Sequence, residues 1–481
     1  MADLIAELRH IVGDKYCLSG SDDRAKYDQD ITGTHKGRSR AVVRPATASE
    51  VAAVLKLANE TKTPVVPLSG NTGLAGGGGI DDADNTIILS TDRMTKILSI
   101  NPKSRIARVE AGVILADLHS AADAHDLVFP LVFGARGSCR IGGNLSTNAG
   151  GSNVVRYGNT RALCLGLEIV TPTGGIVNLM NELHKDNTGY DLKDLFIGAE
   201  GTLGVITKAV LKLSPKPKAY ATAMVAVPTM EAALTLLHRV QAETTNAVEA
   251  FEYMPKNYFH HLQVVFPDAP KPFATPADIG ILIEVAATSE KEAALQDDGS
   301  TPLLNRLTEV LGEMLESGLV LDATLAQSEQ QRAEMWRQRE AAFEVSTYRG
   351  FPISMDIAVP LDQVGPFLAL AEARVRKRLP KADIVEIAHL GDGNLHYSLW
   401  PDPEHTGAIP HELAEEIYEM VEEVVQDLGG SFSAEHGIGT HKLSSMARRK
   451  DKGALEVMRA IKMALDPNNI MNPGKVIPAA D

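Results

Sequence analysis

Three glycine-rich segments near the start of the chain constrain its fold most strongly. They cover residues 67–77 (PLSGNTGLAGG), 137–151 (GSCRIGGNLSTNAGG) and 198–207 (GAEGTLGVIT). Glycine lets the backbone approach a ligand closely, and successive backbone N–H groups can surround an anion. Together the three segments predict a trough that holds a large, phosphate-bearing cofactor.

The first segment matches neither of two common phosphate-binding motifs. A dinucleotide-binding Rossmann unit would begin a helix at this point, but the acidic run at residues 80–84 (IDDAD) follows instead. A Walker loop requires a lysine, and this segment has none. Taken alone, the segment could equally be a solvated hairpin loop.

Composition excludes several classes of protein. The 481 residues carry a formal net charge of −15, which argues against nucleic acid as a partner. The three cysteines, Cys17, Cys139 and Cys164, cannot form a disulfide framework and fit a reducing compartment. No apolar run reaches the ~18 residues of a transmembrane helix. The expected location is therefore the cytoplasm, with no membrane span.

The pattern of apolar residues along the chain changes near residue 218. Short strand-like runs fill residues 1–218, and prolines at positions 215 and 217 predict a linker. In residues 219–442, helical stripes at 303–315 and 411–428 alternate with strand-like runs at 281–285, 353–360 and 383–389. This pattern predicts an α+β second domain in which helices pack on an antiparallel sheet.

In their order and spacing, the glycine-rich segments resemble the FAD domain of the vanillyl-alcohol oxidase / p-cresol methylhydroxylase flavoprotein family. Residues 186–192 (DNTGYDL) and 466–475 (DPNNIMNPGK) resemble its D-lactate and D-2-hydroxyglutarate dehydrogenase branch. The resemblance implies a two-part FAD-binding domain of vanillyl-alcohol oxidase type. Residues 1–218 would form most of it, residues 443–481 would return to it, and residues 219–442 would form the substrate (cap) domain.

The resemblance also implies which residues contact FAD. The first loop contains no histidine, to which some relatives attach the flavin, so non-covalent FAD is expected. The implied cofactor-binding residues are Ser69, Gly70, Asn71, Thr72, Gly73, Leu74, Gly142, Gly143, Thr147, Asn148, Gly150, Gly151, Ser152, Glu200, Gly201, Gly204, Val205 and Asn472.

Two histidines flank an Asp-Gly turn signal. If residues 391–394 form a four-residue loop, His389 pairs with His396, and both side chains share one face of the hairpin. Two imidazoles could then bind one metal ion, with Glu435 as a third ligand. Such a site suits zinc, although iron or manganese also accepts it. The alternative is a hydrogen-bonded histidine pair at a sheet edge, and the resemblance favours the metal site.

The resemblance assigns the substrate residues as well. It implies that His436 accepts the substrate proton, for which its pKa range is suited. Arg339 would bind the substrate carboxylate, and Asn394 would contact the substrate. Phe343 and Ser354 stand where the hydroxyglutarate enzymes carry Thr and Lys. The expected substrate is therefore D-lactate or a similar short acid, with D-2-hydroxyglutarate as the alternative.

The sequence thus predicts an FAD-dependent dehydrogenase that oxidises a D-2-hydroxy acid to the 2-oxo acid, assisted by a divalent metal, with zinc as first choice. A metal-dependent hydrolase that uses His389, His396 and Glu435 is the alternative from another class. It leaves the glycine-rich segments without a ligand. The electron acceptor stays open, as does the choice between a monomer and a homodimer.

Overall fold

The computed structural model describes residues 3–80 and 85–479, and the chain forms two compact units. The first unit contains the chain up to Gly150, then Gly158–Pro215 and, from Glu435, the C-terminal segment. The second contains Gly151–Tyr157 and Lys216–Ala434. The expected boundaries lie at 218 and 442, whereas the two units divide at 215 and 434. Residues 151–157, which no sequence pattern set apart, belong to the second unit.

The first unit contains two main sheets. One has the strand order Cys17–Leu18, Ala41–Val43, Ile87–Ser90, Val65–Leu68, and its last two pairings are parallel. The other is antiparallel, with the order Ile97–Asn101, Ile106–Glu110, Val205–Lys212, Cys164–Val170, Ile176–Leu179. Ser214–Pro215, at the start of the predicted linker, pairs with Leu127–Val128.

The helices of the first unit surround these sheets. The N-terminal helix Leu4–Val12 is capped by the Asp3 carboxylate, which accepts the Ile5 N–H. The α-helices are Leu4–Val12, Ser21–Asp28, Ala48–Thr61, Leu115–Asp123, Ile141–Ser146, Lys193–Phe196, Leu443–Arg449 and Lys452–Leu465, with 3₁₀ turns at Asp14–Tyr16 and Gly134–Gly137.

The second unit is built on one seven-stranded antiparallel sheet, as the α+β prediction requires. The strand order is Asp322–Leu325, Ala219–Val227, Ile279–Ala287, Val248–Pro255, Asp383–His389, Asn394–Trp400, Ile353–Ala358. Its helices are Val154–Tyr157, Met230–Glu243, Lys256–Val265, Glu290–Ala293, Pro302–Glu316, Glu329–Glu340, Ala342–Thr347, Val364–Arg378 and His411–Asp427, with a 3₁₀ turn at Leu361–Gln363.

The two faces of this sheet carry different cores. Four helices cover one face through a large apolar cluster that includes Leu236, Leu307, Phe367 and Val421. The opposite face carries a smaller cluster with Tyr258, Met335, Ile387 and Trp400. Side chains alternate between the faces along each strand, so residues two apart in a strand point the same way. None of the described helices has the length and apolarity needed to cross a bilayer.

The predicted register of the histidine hairpin is wrong by two residues. His389 pairs with Asn394, and His396 pairs with Ile387, so the loop covers residues 390–393. Gly393 explains the difference, because it has φ +79° and a Cβ there would lie 2.2 Å from the Val359 carbonyl oxygen. A shift of two preserves the face of every side chain. The two imidazole rings consequently still meet, with centroids 5.4 Å apart.

Candidate active site

The first two glycine-rich segments touch each other within the first unit. A Cβ at Gly143 would lie 2.5 Å from the Ser69 carbonyl oxygen, and a Cβ at Gly70 would lie 3.0 Å from the Ser138 carbonyl oxygen. Gly70 also has φ +88°. Only glycine allows this close approach of two backbones. The close contact between the two loops therefore requires glycine at positions 70 and 143.

The C-terminal segment contacts the first and the third glycine-rich segments through Asn472. Its Nδ2 donates to the carbonyl oxygens of Gly77 (3.0 Å) and Glu200 (2.7 Å), and its backbone N–H donates to Val65 (2.8 Å). Its Oδ1 is buried and has no hydrogen-bond partner among the described residues. A buried acceptor without a donor is unfavourable, so this atom fits a ligand that carries an N–H group.

The predicted cofactor residues differ in accessibility. Gly73 and Leu74 are exposed, whereas Ser69, Gly70, Asn71, Thr72, Gly143, Thr147, Asn148, Gly150 and Ser152 are half-buried. The buried members are Gly142, Gly151, Glu200, Gly201, Gly204, Val205 and Asn472. Among these, Gly201 packs against Pro67 and Gly204 against the Val170 carbonyl oxygen. Their direct contact with FAD stays a prediction.

In the second unit, one carboxylate connects two predicted site residues. Glu252 is fully buried and accepts hydrogen bonds from Arg339 Nε (2.7 Å) and His389 Nδ1 (2.9 Å). Burial alone would raise the pKa of the Glu252 carboxyl, but the charges of His389 and Arg339 lower that pKa to about 2. Glu252 is therefore an anion, and its carboxylate holds the side chains of Arg339 and His389.

Arg339 is itself 7% exposed, and its Nη2 has no hydrogen-bond partner among the described residues. The helix Glu329–Glu340 that carries it is anchored on both sides. The Tyr258 hydroxyl donates to the Gln338 carbonyl oxygen (2.6 Å), and Trp336 Nε1 donates to Glu284 (2.8 Å). The guanidinium is thus fixed in place, and its buried Nη2 keeps an unused hydrogen-bonding capacity among the described residues.

The second histidine lies beside a different carboxylate. His396 Nδ1 is 3.9 Å from Asp356 Oδ1, and the two residues are paired across neighbouring antiparallel strands. Asp356 is 2% exposed and accepts hydrogen bonds from Asn394 Nδ2 (2.9 Å) and from the Ala434 backbone N–H (3.2 Å). Imidazole and carboxylate at this spacing suit a divalent metal.

Three further predicted residues have defined surroundings. Asn394 Nδ2 holds Asp356 and also donates to the Ile357 carbonyl oxygen (3.0 Å), so its predicted contact with substrate would use Oδ1. Ser354 lies on the same face of its strand as Asp356, and its hydroxyl bonds Ser398 (2.9 Å). Phe343 is 59% exposed on the helix Ala342–Thr347.

Glu435 and His436 directly follow Ala434 in the chain. Within the first unit, His436 Nε2 is 3.9 Å from Glu435 Oε1, and the backbone then turns through Gly437 (φ +80°) and Gly439 (φ +50°). Two successive side chains can face one site only in such irregular backbone. The backbone after Glu435 and His436 is irregular in this way.

Sequence reasoning missed Glu252 and Asp356. Each is a carboxylate inside a strand, on the face that also carries a predicted histidine. Buried acids are rare unless they are paired. The alternation of Ser354, Asp356 and Ala358 with apolar residues was a usable signal for Asp356. Glu252 stands in the fully buried run Val248–Pro255, where no alternation was visible.

Comparison with known proteins identifies the family of both parts of the chain. Residues 39–180 match a family described as FAD binding domain, and residues 216–476 match FAD linked oxidases, C-terminal domain. A D-2-hydroxyglutarate dehydrogenase of Stutzerimonas stutzeri (strain A1501) is 35% identical over 99% of both chains. A mitochondrial D-2-hydroxyglutarate dehydrogenase of Rattus norvegicus is 34% identical over 93% of this chain and 79% of the relative.

Solved structures show the same fold at lower identity. p-Cresol methylhydroxylase with substrate bound has a TM-score of 0.72 at 16% identity, covering 99% of this chain and 96% of that chain. 4-Ethylphenol oxidase from Gulosibacter chungangensis has a TM-score of 0.69 at 18% identity, covering 99% and 97%. The fold is thus that of the vanillyl-alcohol oxidase / p-cresol methylhydroxylase flavoproteins, and the chain belongs to the FAD-linked oxidases as an FAD-dependent oxidoreductase.

Proposed function

We propose that the protein oxidises a D-2-hydroxy acid to the corresponding 2-oxo acid, with non-covalent FAD accepting a hydride. The observation that carries this proposal is the line of contacts Arg339–Glu252–His389. It joins a guanidinium, a group that binds carboxylates, to an imidazole, a group that binds metals. A hydroxy acid offers matching groups, since its carboxylate and its hydroxyl are separated by one carbon atom. The hydrolase alternative gives no role to the FAD-binding domain.

Arg339 would bind the α-carboxylate of the substrate. Its Nε is committed to Glu252, and its Nη2 has no partner among the described residues. A guanidinium held on one side by a buried carboxylate cannot rotate away, so it fixes the orientation of the acid. When bound, FAD supplies the hydride acceptor; the protein supplies the positioning.

We also propose that His389, His396 and Glu435 would hold a divalent metal, with Asp356 beside His396. His389 uses Nδ1 for Glu252, so Nε2 is the atom that would bind the ion. Two imidazoles and a carboxylate suit zinc. When bound, the metal supplies a Lewis acid for the substrate hydroxyl. His436, next to Glu435, would take the hydroxyl proton as general base.

Two candidate substrate classes differ in the group that they carry beyond the reacting carbon. The Ser354–Ser398 pair is neutral, and this favours a short or uncharged tail such as that of D-lactate. The names of the relatives favour D-2-hydroxyglutarate, whose second carboxylate would need a cationic partner. We rank the short acid first on the basis of the serine pair.

A visible spectrum together with a panel of D-acids tests the proposal. The purified protein should show flavin absorbance, and anaerobic addition of its substrate should bleach that absorbance. The panel should contain D-lactate, D-2-hydroxyglutarate and their L enantiomers, with an artificial dye as acceptor. A flavin that no D-2-hydroxy acid reduces would refute the proposal.

A further inference from the structure

The Glu200 side chain, whose contact with the cofactor stays a prediction, bonds the loop that follows Glu435 and His436. The carboxylate accepts the backbone N–H of Ile438 at Oε1 (2.7 Å) and the backbone N–H of Gly439 at Oε2 (2.9 Å). Glu200 is buried, and its own backbone has φ +49°. A carboxylate that receives two N–H groups makes strong, charge-assisted hydrogen bonds.

The loop that receives this carboxylate is shaped to fit it. A Cβ at Gly437 would lie 2.7 Å from Glu200 Oε1, and one at Gly439 would lie 1.9 Å from the Ala75 carbonyl oxygen. Both glycines have positive φ, so side chains are excluded by backbone conformation and by space. The Glu200 carboxylate therefore lies directly against the turn that follows Glu435 and His436.

We propose that Glu200 is a positioning residue that fixes the turn at residues 437–439 and, through it, the side chains of Glu435 and His436. The inference rests on the proposed roles of these two residues as metal ligand and general base. Residues 435–442 belong to no helix or strand, so secondary structure does not hold the segment. A displacement of ~1 Å at a reacting group can cost ~100-fold in rate.

The substitution Glu200→Gln tests this role. An amide replaces one acceptor oxygen with an NH₂ group, which would face one of the two N–H donors in either orientation. We expect FAD content and KM to change little and the rate of flavin reduction per bound FAD to fall about 10- to 100-fold. Gly437→Ala should produce the same phenotype by pushing the carboxylate away. Glu182→Gln, in an exposed ion pair of the same unit, is the matched control.

Hydrogen exchange supplies a readout that does not depend on activity. The amides of Ile438 and Gly439 should be protected in the wild-type holoenzyme and lose that protection in Glu200→Gln, while the rest of the first unit stays protected. Metal content per chain should fall in the same variant, because Glu435 lies on the freed segment.

Three outcomes separate this inference from the proposed function. If His436→Asn abolishes flavin reduction while Glu200→Gln and Gly437→Ala retain the full rate per bound FAD, the positioning role is refuted and the proposed function stands. If His436→Asn is fully active, the proposed base is wrong. Loss of FAD from Glu200→Gln, with a normal rate in the fraction that keeps it, would assign Glu200 to the cofactor and also refute the positioning role.

Discussion

The hydroxyl oxygens of Ser354 and Ser398 lie 2.9 Å apart across two antiparallel strands. The same strand faces carry Asp356 and His396 two residues further along, so the serine pair borders the proposed metal-binding group. Each hydroxyl is the hydrogen-bond partner of the other. The pair therefore offers a substrate neutral hydrogen-bonding groups and no charge.

The serine pair predicts the substrate preference. A distal carboxylate buried without a cation is disfavoured, so D-lactate should have a higher kcat/KM than D-2-hydroxyglutarate. Ser354→Lys should move the ratio toward D-2-hydroxyglutarate by ~10-fold or more. Steady-state kinetics on both acids measures it, with Ser354→Ala as the uncharged control. A wild type that already prefers D-2-hydroxyglutarate by ~10-fold would contradict this interpretation of Ser354.

The fold and the site were accessible from sequence to different degrees. Helical periodicity depends on local residues, so the stripes at 303–315 and 411–428 predicted the helices Pro302–Glu316 and His411–Asp427 within a residue or two. The hairpin register depends on how tightly Gly393 approaches Val359, a distant contact that no local pattern encodes. Glu252 belongs to the same class, because its partners lie 87 and 137 residues away.

Arg339 should be irreplaceable by lysine. Lysine keeps the charge but cannot bind Glu252 and a substrate carboxylate through one rigid fork. We expect Arg339→Lys to raise KM at least ~10-fold and to lower kcat, because the acid loses its orientation. Arg337→Lys lies on the exposed side of the same helix and should behave as wild type. Equal KM values for the two variants would exclude Arg339 from substrate binding.

Asn472 should contribute to FAD retention. Alanine at this position would leave the carbonyl oxygens of Gly77 and Glu200 without their donor and would remove the orphaned Oδ1. We expect Asn472→Ala to weaken FAD binding by about 10-fold or more, measured as flavin release during dilution. Asn468→Ala, which loses an exposed hydrogen bond to Asn59, is the control. Unchanged FAD affinity in Asn472→Ala would contradict the predicted contact.

The second unit should lose stability in acid through Asp383. Burial opposes ionisation of this carboxyl, but hydrogen bonds from His261, Asn257 and Arg349 hold its pKa well below its usual range. A depressed folded-state pKa stabilises the protein above the unfolded-state value of about 4, and this stabilisation is lost as the pH falls below it. Asp383→Asn should therefore be less stable at pH 7 and show a smaller loss between pH 7 and pH 3.5.

Tryptophan fluorescence can follow this unfolding selectively. Both tryptophans, Trp336 and Trp400, lie in the second unit. The Arg349 guanidinium lies 4.1 Å from the centre of the Trp400 ring, so the probe adjoins the Asp383 cluster. Urea unfolding at several pH values gives the two stability curves. Parallel curves for wild type and Asp383→Asn would show that folding does not lower the pKa of Asp383.

Metal should be required for turnover and dispensable for FAD binding. Two of the three proposed ligands, His389 and His396, lie in the second unit, whereas all but two of the predicted FAD contacts lie in the first. Dialysis against a chelator should abolish flavin reduction and preserve the flavin spectrum, and zinc should restore the rate. His396→Ala should lose both metal and activity, while His411→Ala, at the exposed start of the helix His411–Asp427, should retain both. Metal analysis by mass spectrometry decides the outcome: a fully active enzyme with far less than one divalent ion per chain would refute the metal site.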